Sequence, residues 1–134
     1  MALQYMLDTN ICIYIAKNKP TTVLQRFNKL ALGDVCMSII THGELLYGAQ
    51  KSMHKLEALT ILQKLTSLIP PKALSEATAM HYAEARSKLE KKGLPIGNND
   101  LWIAAHALAA GVTLVTNNTR EFARIPGLKV ENWI

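Results

Sequence analysis

Residues 3–10 read Leu3-Gln4-Tyr5-Met6-Leu7-Asp8-Thr9-Asn10, a short, mostly apolar run that stops at three polar turn residues. Leu3 to Leu7 has the pattern of a buried strand, and Asp8-Thr9-Asn10 ends it. Ile11 to Lys17 then has the character of a helix. A buried strand that runs at once into a helix is the opening of an α/β unit, and the rest of the chain repeats it.

After Pro20, Thr21 to Leu30 is a second expected helix, and Asp34 to Ile40, apolar and rich in β-branched residues, is the second strand. Thr41 to Gln50 follows as a helix. Met53 to Leu65 carries Leu56, Leu59, Leu62 and Leu65 along roughly one helical face. Ser67 to Ile69 is a short strand candidate closed by Pro70-Pro71. Ser75 to Lys92 is a long helix ending at Lys91-Lys92-Gly93, and residues 93–97 are a loop. Asp100 to Ala110 is a helix stopped by Gly111, Val112 to Thr116 a strand, Asn117 to Ala123 a loop with a helical turn, and Gly127 to Trp133 a last short strand. Strands alternating with helices imply an α/β fold, a parallel sheet sandwiched by helices. No repeat, linker or low-complexity tract divides residues 1–134, which are expected to form one domain.

In such sheets ligands bind outside the carboxyl ends of the strands, so the residues just after strands carry the functional reading. Asp8 follows the first strand. Glu44 lies in the first turn expected after the second. Asp100 opens the helix before the Val112 to Thr116 strand, and Asn117, Asn118 and Glu121 follow that strand. Counting i+3, i+4, i+7 and i+8 from Asp100 gives Ile103, Ala104, Ala107 and Leu108, so this acid heads an apolar stripe. An inward-facing carboxylate at the edge of a core is costly unless it is paired or binds a cation.

Each acid also has a plain structural use. Thr41-His42-Gly43-Glu44 matches a capping box, Asp8 fits a turn or helix cap, and Asp100 complements a helix dipole. Together they suggest more, because caps need not gather at one end of one sheet. Converging carboxylates repel, and a divalent cation relieves that repulsion. All-oxygen ligands select Mg²⁺, or Mn²⁺, over zinc. Such an ion suits phosphodiester chemistry.

Fifteen Lys and Arg against ten Asp and Glu give a net charge of +5, which favours a polyanion partner such as nucleic acid. Lysines gather at Lys17 and Lys19, at Lys51 and Lys55, and at Lys88, Lys91 and Lys92. Arg86 and Arg120 are candidate phosphate contacts. Tyr47, Tyr82 and Trp102 are candidates for base stacking, although packing suits all three better. Cys12 and Cys36 lie in apolar runs and are expected to be buried thiols. The four histidines show no metal-ligand spacing, and His106, six residues after Asp100, falls on another face of that helix. No signal peptide or membrane-spanning stretch is evident, so the protein is expected in the cytoplasm.

Several of these stretches resemble the PIN-domain family. Met6-Leu7-Asp8-Thr9-Asn10, and Ser38 to Thr41 with Glu44-Leu45, are similar to its first two motifs. Ile96 to Asp100 with Ile103 to Ala107 is similar to the third, and Leu114 to Asn118 with Arg120-Glu121-Phe122 to the fourth. The ending, Ile125 to Leu128 and Glu131-Asn132-Trp133, looks like the VapC toxins of bacterial toxin–antitoxin pairs. The resemblance covers the chain from about residue 3 onward and implies a single PIN domain.

It implies a Mg²⁺-dependent endoribonuclease held inactive by a VapB-type antitoxin, with Asp8, Glu44 and Asp100 as metal-binding acids. Thr9, Asn10 and Thr116 match positions that support those carboxylates by hydrogen bonding. The implied substrate is initiator tRNA, cut in the anticodon stem-loop. A homodimer that meets promoter DNA only through the antitoxin is also implied. One departure stands out: many PIN domains carry a fourth acid where Asn118 stands here, with Glu121 three residues on. Either Glu121 or a water is then left to complete the metal shell. Two other readings remain beside this one: a PIN-like module that binds RNA or a partner without cutting, and a metal-dependent phosphatase or DNA nuclease.

Overall fold

Five short parallel strands carry the fold. The computed structural model describes residues 3–134. β1 (Tyr5–Leu7) is followed by α1 (Thr9–Ala16) and α2 (Thr21–Asn28), and β2 (Val35–Ser38) by α3 (Ile39–Gln50) and α4 (Lys55–Leu68). Then come β3 (Pro71–Lys72), α5 (Glu76–Lys91), α6 (Asn98–Ala110), β4 (Thr113–Val115), α7 (Thr119–Phe122) and β5 (Val130–Glu131). Tyr5 pairs with Val35 on one side and Thr113 on the other, so β1 is the centre of the sheet. The chain builds outward on one side through β2 and β3, then crosses to the other side through β4 and β5. The carboxyl end of β1 is therefore the point where strand order reverses, the place where open α/β sheets bind ligands.

Successive strand residues point to opposite faces, and both faces are covered. Met6, Cys36 and Leu114 pack with α5 and α6 through Ala85, Leu89, Ile103 and Ala107. Leu7, Val35, Met37 and Val115 pack with α1, α2 and α4 through Ile11, Val23, Leu62 and Leu65. Each fully buried side chain of this size contributes about 2 kcal/mol. Cys12 and Cys36 are buried free thiols, as expected.

Several boundaries differ from the sequence reading: α6 starts at Asn98 and not at Asp100, and β5 is only Val130–Glu131. β2 stops at Ser38 instead of Ile40, because the Ser38 hydroxyl accepts the Ile40 N–H and starts α3 there. Thr41 is therefore inside the helix, and the Thr41–Glu44 capping box does not form. Ser67 and Leu68 belong to α4, and the strand is Pro71–Lys72 instead. β3 lies at the sheet edge, where a proline need only offer carbonyls, and Pro70 does so to the Met37 N–H at 3.1 Å. Leu56 is 82% exposed, so the leucine face of α4 meets the core only from its second half, at Leu62 and Leu65.

Gly111 ends α6 as expected, in the left-handed conformation with φ of 69°. An added Cβ would meet open space there, so the cost of a side chain is backbone strain alone. Gly111→Ala should lower stability by about 1 kcal/mol, read as a shift in the urea midpoint without a change of slope.

Candidate active site

The carboxyl ends of β1 and β4 adjoin, and the Asp8 N–H bonds the Val115 carbonyl at 3.0 Å. Asp8 is only 6% exposed. Its Oδ1 caps α1 by accepting the Ile11 N–H at 3.0 Å. Burial pushes its pKa up and the charge of Glu44 adds to this, while bonds from the Thr116 hydroxyl and the Ile11 and Asn10 backbone pull it down. Thr116 is fully buried, and its Oγ1 also accepts the Asn118 N–H at 2.9 Å. Asn10 is exposed and reaches Asp8 through its backbone, not its side chain.

Thr9 opens α1 and turns its hydroxyl across to α3, donating to Glu44 Oε1 at 2.7 Å. The same hydroxyl lies 3.3 Å from that of the buried Thr41. With α3 beginning at Ile39, Glu44 is in the second turn of that helix, not the first.

Asp100 lies in the first turn of α6. Its pKa is pushed up to about 6, by burial first and then by Glu44, Asp8 and Glu121 in that order. Among the described residues no hydrogen bond or cation pulls it back. Glu121 in α7 accepts from the Asn118 side-chain amide at 3.0 Å. Asn118 thus ties Glu121 to the Thr116 hydroxyl that serves Asp8.

The four acids placed at one sheet edge by sequence do feel one another's charge, and among the described residues no ion pair neutralises any of them. As they lie, no three such side chains enclose an ion. This open edge suits a hard cation that keeps several waters in its shell, as Mg²⁺ does, better than one that needs a closed cage.

Of the basic and aromatic candidates, Arg86 and the Tyr82–Trp102 pair make contacts within the fold. Arg86 is held by the Tyr82 hydroxyl at 2.7 Å and by Glu90 at 3.1 Å. Tyr82 and Trp102 stack on each other with centroids 3.8 Å apart, and Tyr82 donates to Asn98 at 2.6 Å. Tyr47 is 66% exposed, its ring under the Lys51 ammonium. Arg120 is exposed one residue before Glu121. Two features went unread in the sequence. Asn117 donates to the Tyr14 hydroxyl at 3.0 Å, tying the loop after β4 to α1. An apolar groove of about 350 Å³ also runs between α1, α3 and α4, lined by Ile13, Leu45, Ile61, Leu62 and Leu65 and reaching Thr9 and Glu44. The apolar 53–65 stretch supplies one wall, but the other walls come from two separate helices that no local pattern brings together.

Thr9→Val keeps the shape of the side chain and removes the hydroxyl that orients Glu44. It should slow any reaction that depends on Glu44 by about tenfold or more while leaving the circular dichroism spectrum unchanged, the size of effect expected when a group that orients a functional side chain is removed.

The PIN domain family model matches residues 5–128, and the chain belongs to that family. Its full-length relatives narrow the assignment. It is 45% identical over 131 residues to the tRNA(fMet)-specific endonuclease VapC of Shigella flexneri, covering 98% of each chain. It is 45% identical over 130 residues to ribonuclease VapC2 of Rickettsia felis, covering 96% of this chain and 97% of the other. Among solved structures, VapBC2 from Rickettsia felis bound to a promoter DNA fragment superposes with a TM-score of 0.91 at 43% identity, over 98% of this chain and 100% of that one. DNA-bound VapBC from Salmonella typhimurium gives 0.92 at 42% identity, over 98% and 99%. Within the PIN-domain family, the chain stands among the VapC ribonucleases.

Proposed function

We propose that this chain is the toxin endoribonuclease of a type II toxin–antitoxin pair, a single PIN domain that cleaves RNA phosphodiesters with Asp8, Glu44 and Asp100 holding a divalent cation. The observation that carries this reading is the set of acids at the β1–β4 edge: beyond burial, Glu44 raises the pKa of Asp8, and Glu44, Asp8 and Glu121 raise that of Asp100, with no ion pair to either among the described residues. Mg²⁺, or Mn²⁺ in its place, would supply Lewis-acid polarisation of a phosphoryl oxygen and a lower pKa for the attacking water.

The chain's own groups prepare the site. The Ile11 amide and the Thr116 hydroxyl hold Asp8 against the burial that favours its protonation. The Thr9 hydroxyl fixes one oxygen of Glu44 and leaves the other free. Asn118 fixes Glu121, which serves as a fourth, more distant acid. The chain's net charge of +5 favours an RNA backbone that bare carboxylates would repel.

The relative from Shigella flexneri is named for tRNA(fMet), so the proposed substrate is initiator tRNA, cut in the anticodon stem-loop. A tRNA substrate puts the activity in the cytoplasm, and no described helix is long and apolar enough to cross a membrane. The similar solved structures pair a VapC with a VapB, two of them on DNA. The proposed partner is thus a VapB-type antitoxin that seats an apolar segment in the groove between α1, α3 and α4, covers Glu44 and carries the promoter contact. A homodimer is the proposed assembly. A non-cleaving module is the weaker reading, since uncompensated acids repel phosphates and give a pure RNA binder nothing.

Purified antitoxin-free protein incubated with initiator tRNA, elongator tRNAs and a DNA duplex tests the substrate class. Discrete fragments from initiator tRNA alone are expected. Cleavage of the DNA duplex instead would replace the ribonuclease reading with the DNA-nuclease one.

A further inference from the structure

Behind the acidic edge lies a buried polar pair that the cleavage scheme leaves unused. His106 is 3% exposed and Ser38 is fully buried. His106 Nδ1 lies 2.8 Å from Ser38 Oγ, and the same oxygen accepts the Ile40 N–H at 3.1 Å. Having accepted from the amide, the serine hydroxyl still has one hydrogen to give, and Nδ1 is positioned to take it. The proton of a neutral ring then sits on Nε2, and a hydrogen bond to the Ala73 backbone opposes the effect of burial on the ring. Burial holds the imidazole below its ordinary pKa of 6.5, which keeps it in the neutral form that can accept on one side and donate on the other.

These contacts join the elements that carry the acids. Ser38 is the last residue of β2 and the cap of α3, which carries Glu44. His106 lies in α6, which carries Asp100. Ala73 follows β3, the edge strand that pairs with β2 through Ser38 and Lys72. Every other buried residue of α6 is apolar: Leu101, Ile103, Ala104, Ala105 and Ala107. A polar ring placed among them and bonded through Nδ1 to the serine hydroxyl fixes a direction that apolar packing alone would not.

We infer that His106 is a positioning residue: its neutral ring clamps α6 to the β2–α3 junction and so sets where Asp100 stands relative to Glu44. The inference rests on the metal-site reading above for its effect on cleavage, but not for the clamp itself.

The test titrates Mn²⁺ alone, by electron paramagnetic resonance, into wild type, His106→Ala, His106→Asn and Ser38→Ala, and follows tRNA cleavage by the same proteins. His106→Ala should bind Mn²⁺ about tenfold more weakly and lose kcat with KM little changed. His106→Asn, whose amide oxygen can accept from Ser38, should recover most of both. Long-range ¹H–¹⁵N spectra at pH 7 should show a neutral, Nε2-protonated ring. A folded His106→Ala with wild-type Mn²⁺ affinity and kcat would overturn the inference, as would an Nδ1-protonated ring. Equal losses in the Ala and Asn variants that merely follow melting temperature would also overturn it. If His106→Ala does not fold, Ser38→Ala decides, and wild-type affinity there counts against the clamp. If wild type itself binds no Mn²⁺, the metal-site reading fails, and the ring tautomer alone decides whether the clamp exists.

Discussion

Asp8→Asn is expected to reduce RNA cleavage by about a thousandfold, or roughly 4 kcal/mol of transition-state stabilisation, with no loss of fold. The substitution keeps the volume of the side chain and an oxygen that can still accept the Ile11 N–H, so the start of α1 survives. What it removes is a negative charge that burial and Glu44 already disfavour. Thermal stability should therefore hold or rise while activity collapses. Single-turnover cleavage of tRNA beside a thermal melt reads both quantities. A variant with the wild-type rate would remove Asp8 from the site, and a variant that melts early would mean that its carboxylate serves the fold.

The second large effect concerns Asp100. Its carboxyl titrates at about 6 in the folded protein against 3.8 for an ordinary aspartate, through burial and then Glu44, Asp8 and Glu121. A carboxyl with a raised folded pKa holds its proton more tightly folded than unfolded. Its contribution to stability is therefore complete below about 3.8 and is lost as pH rises through about 6. The metal-free protein should lose stability across that window, and a divalent cation should restore it at the upper end. Because proton and cation compete for the same oxygens, Mn²⁺ affinity should fall by about tenfold per pH unit below 6. Asp100→Asn should flatten the stability change and abolish cleavage. Calorimetric titration of Mn²⁺ between pH 5 and pH 8, with thermal melts of the metal-free protein over the same range, checks both. A flat affinity profile for wild type would mean that Asp100 is not a ligand.

The central strands were legible in the sequence because β1, β2 and β4 are buried on both faces and read as short apolar runs, each ending at a polar residue. Asp8, Glu44, Asp100 and Glu121 were legible for the related reason that an acid just after a strand, or heading an apolar helical stripe, has no cheap place to go. Boundaries set by one side chain were harder. Ser38 ends β2 two residues early with a single hydroxyl, and Pro71 serves as an edge strand where prolines suggested only a stop. Contacts between distant elements were not legible. The Thr9–Glu44 bond spans 35 residues and the Ser38–His106 bond 68, and no local spacing encodes either. Asn10 matched a supporting position by resemblance, but the fold uses its backbone.

The most direct test of the whole reading is to incubate purified, antitoxin-free protein with total tRNA, once with Mg²⁺ and once with EDTA, running Asp100→Asn in parallel. Discrete tRNA fragments from wild type with Mg²⁺, and from neither the EDTA reaction nor the variant, are the expected result. Equal cleavage by wild type and Asp100→Asn, or cleavage that survives EDTA, would contradict a metal-dependent ribonuclease built on the acids at the β1–β4 edge.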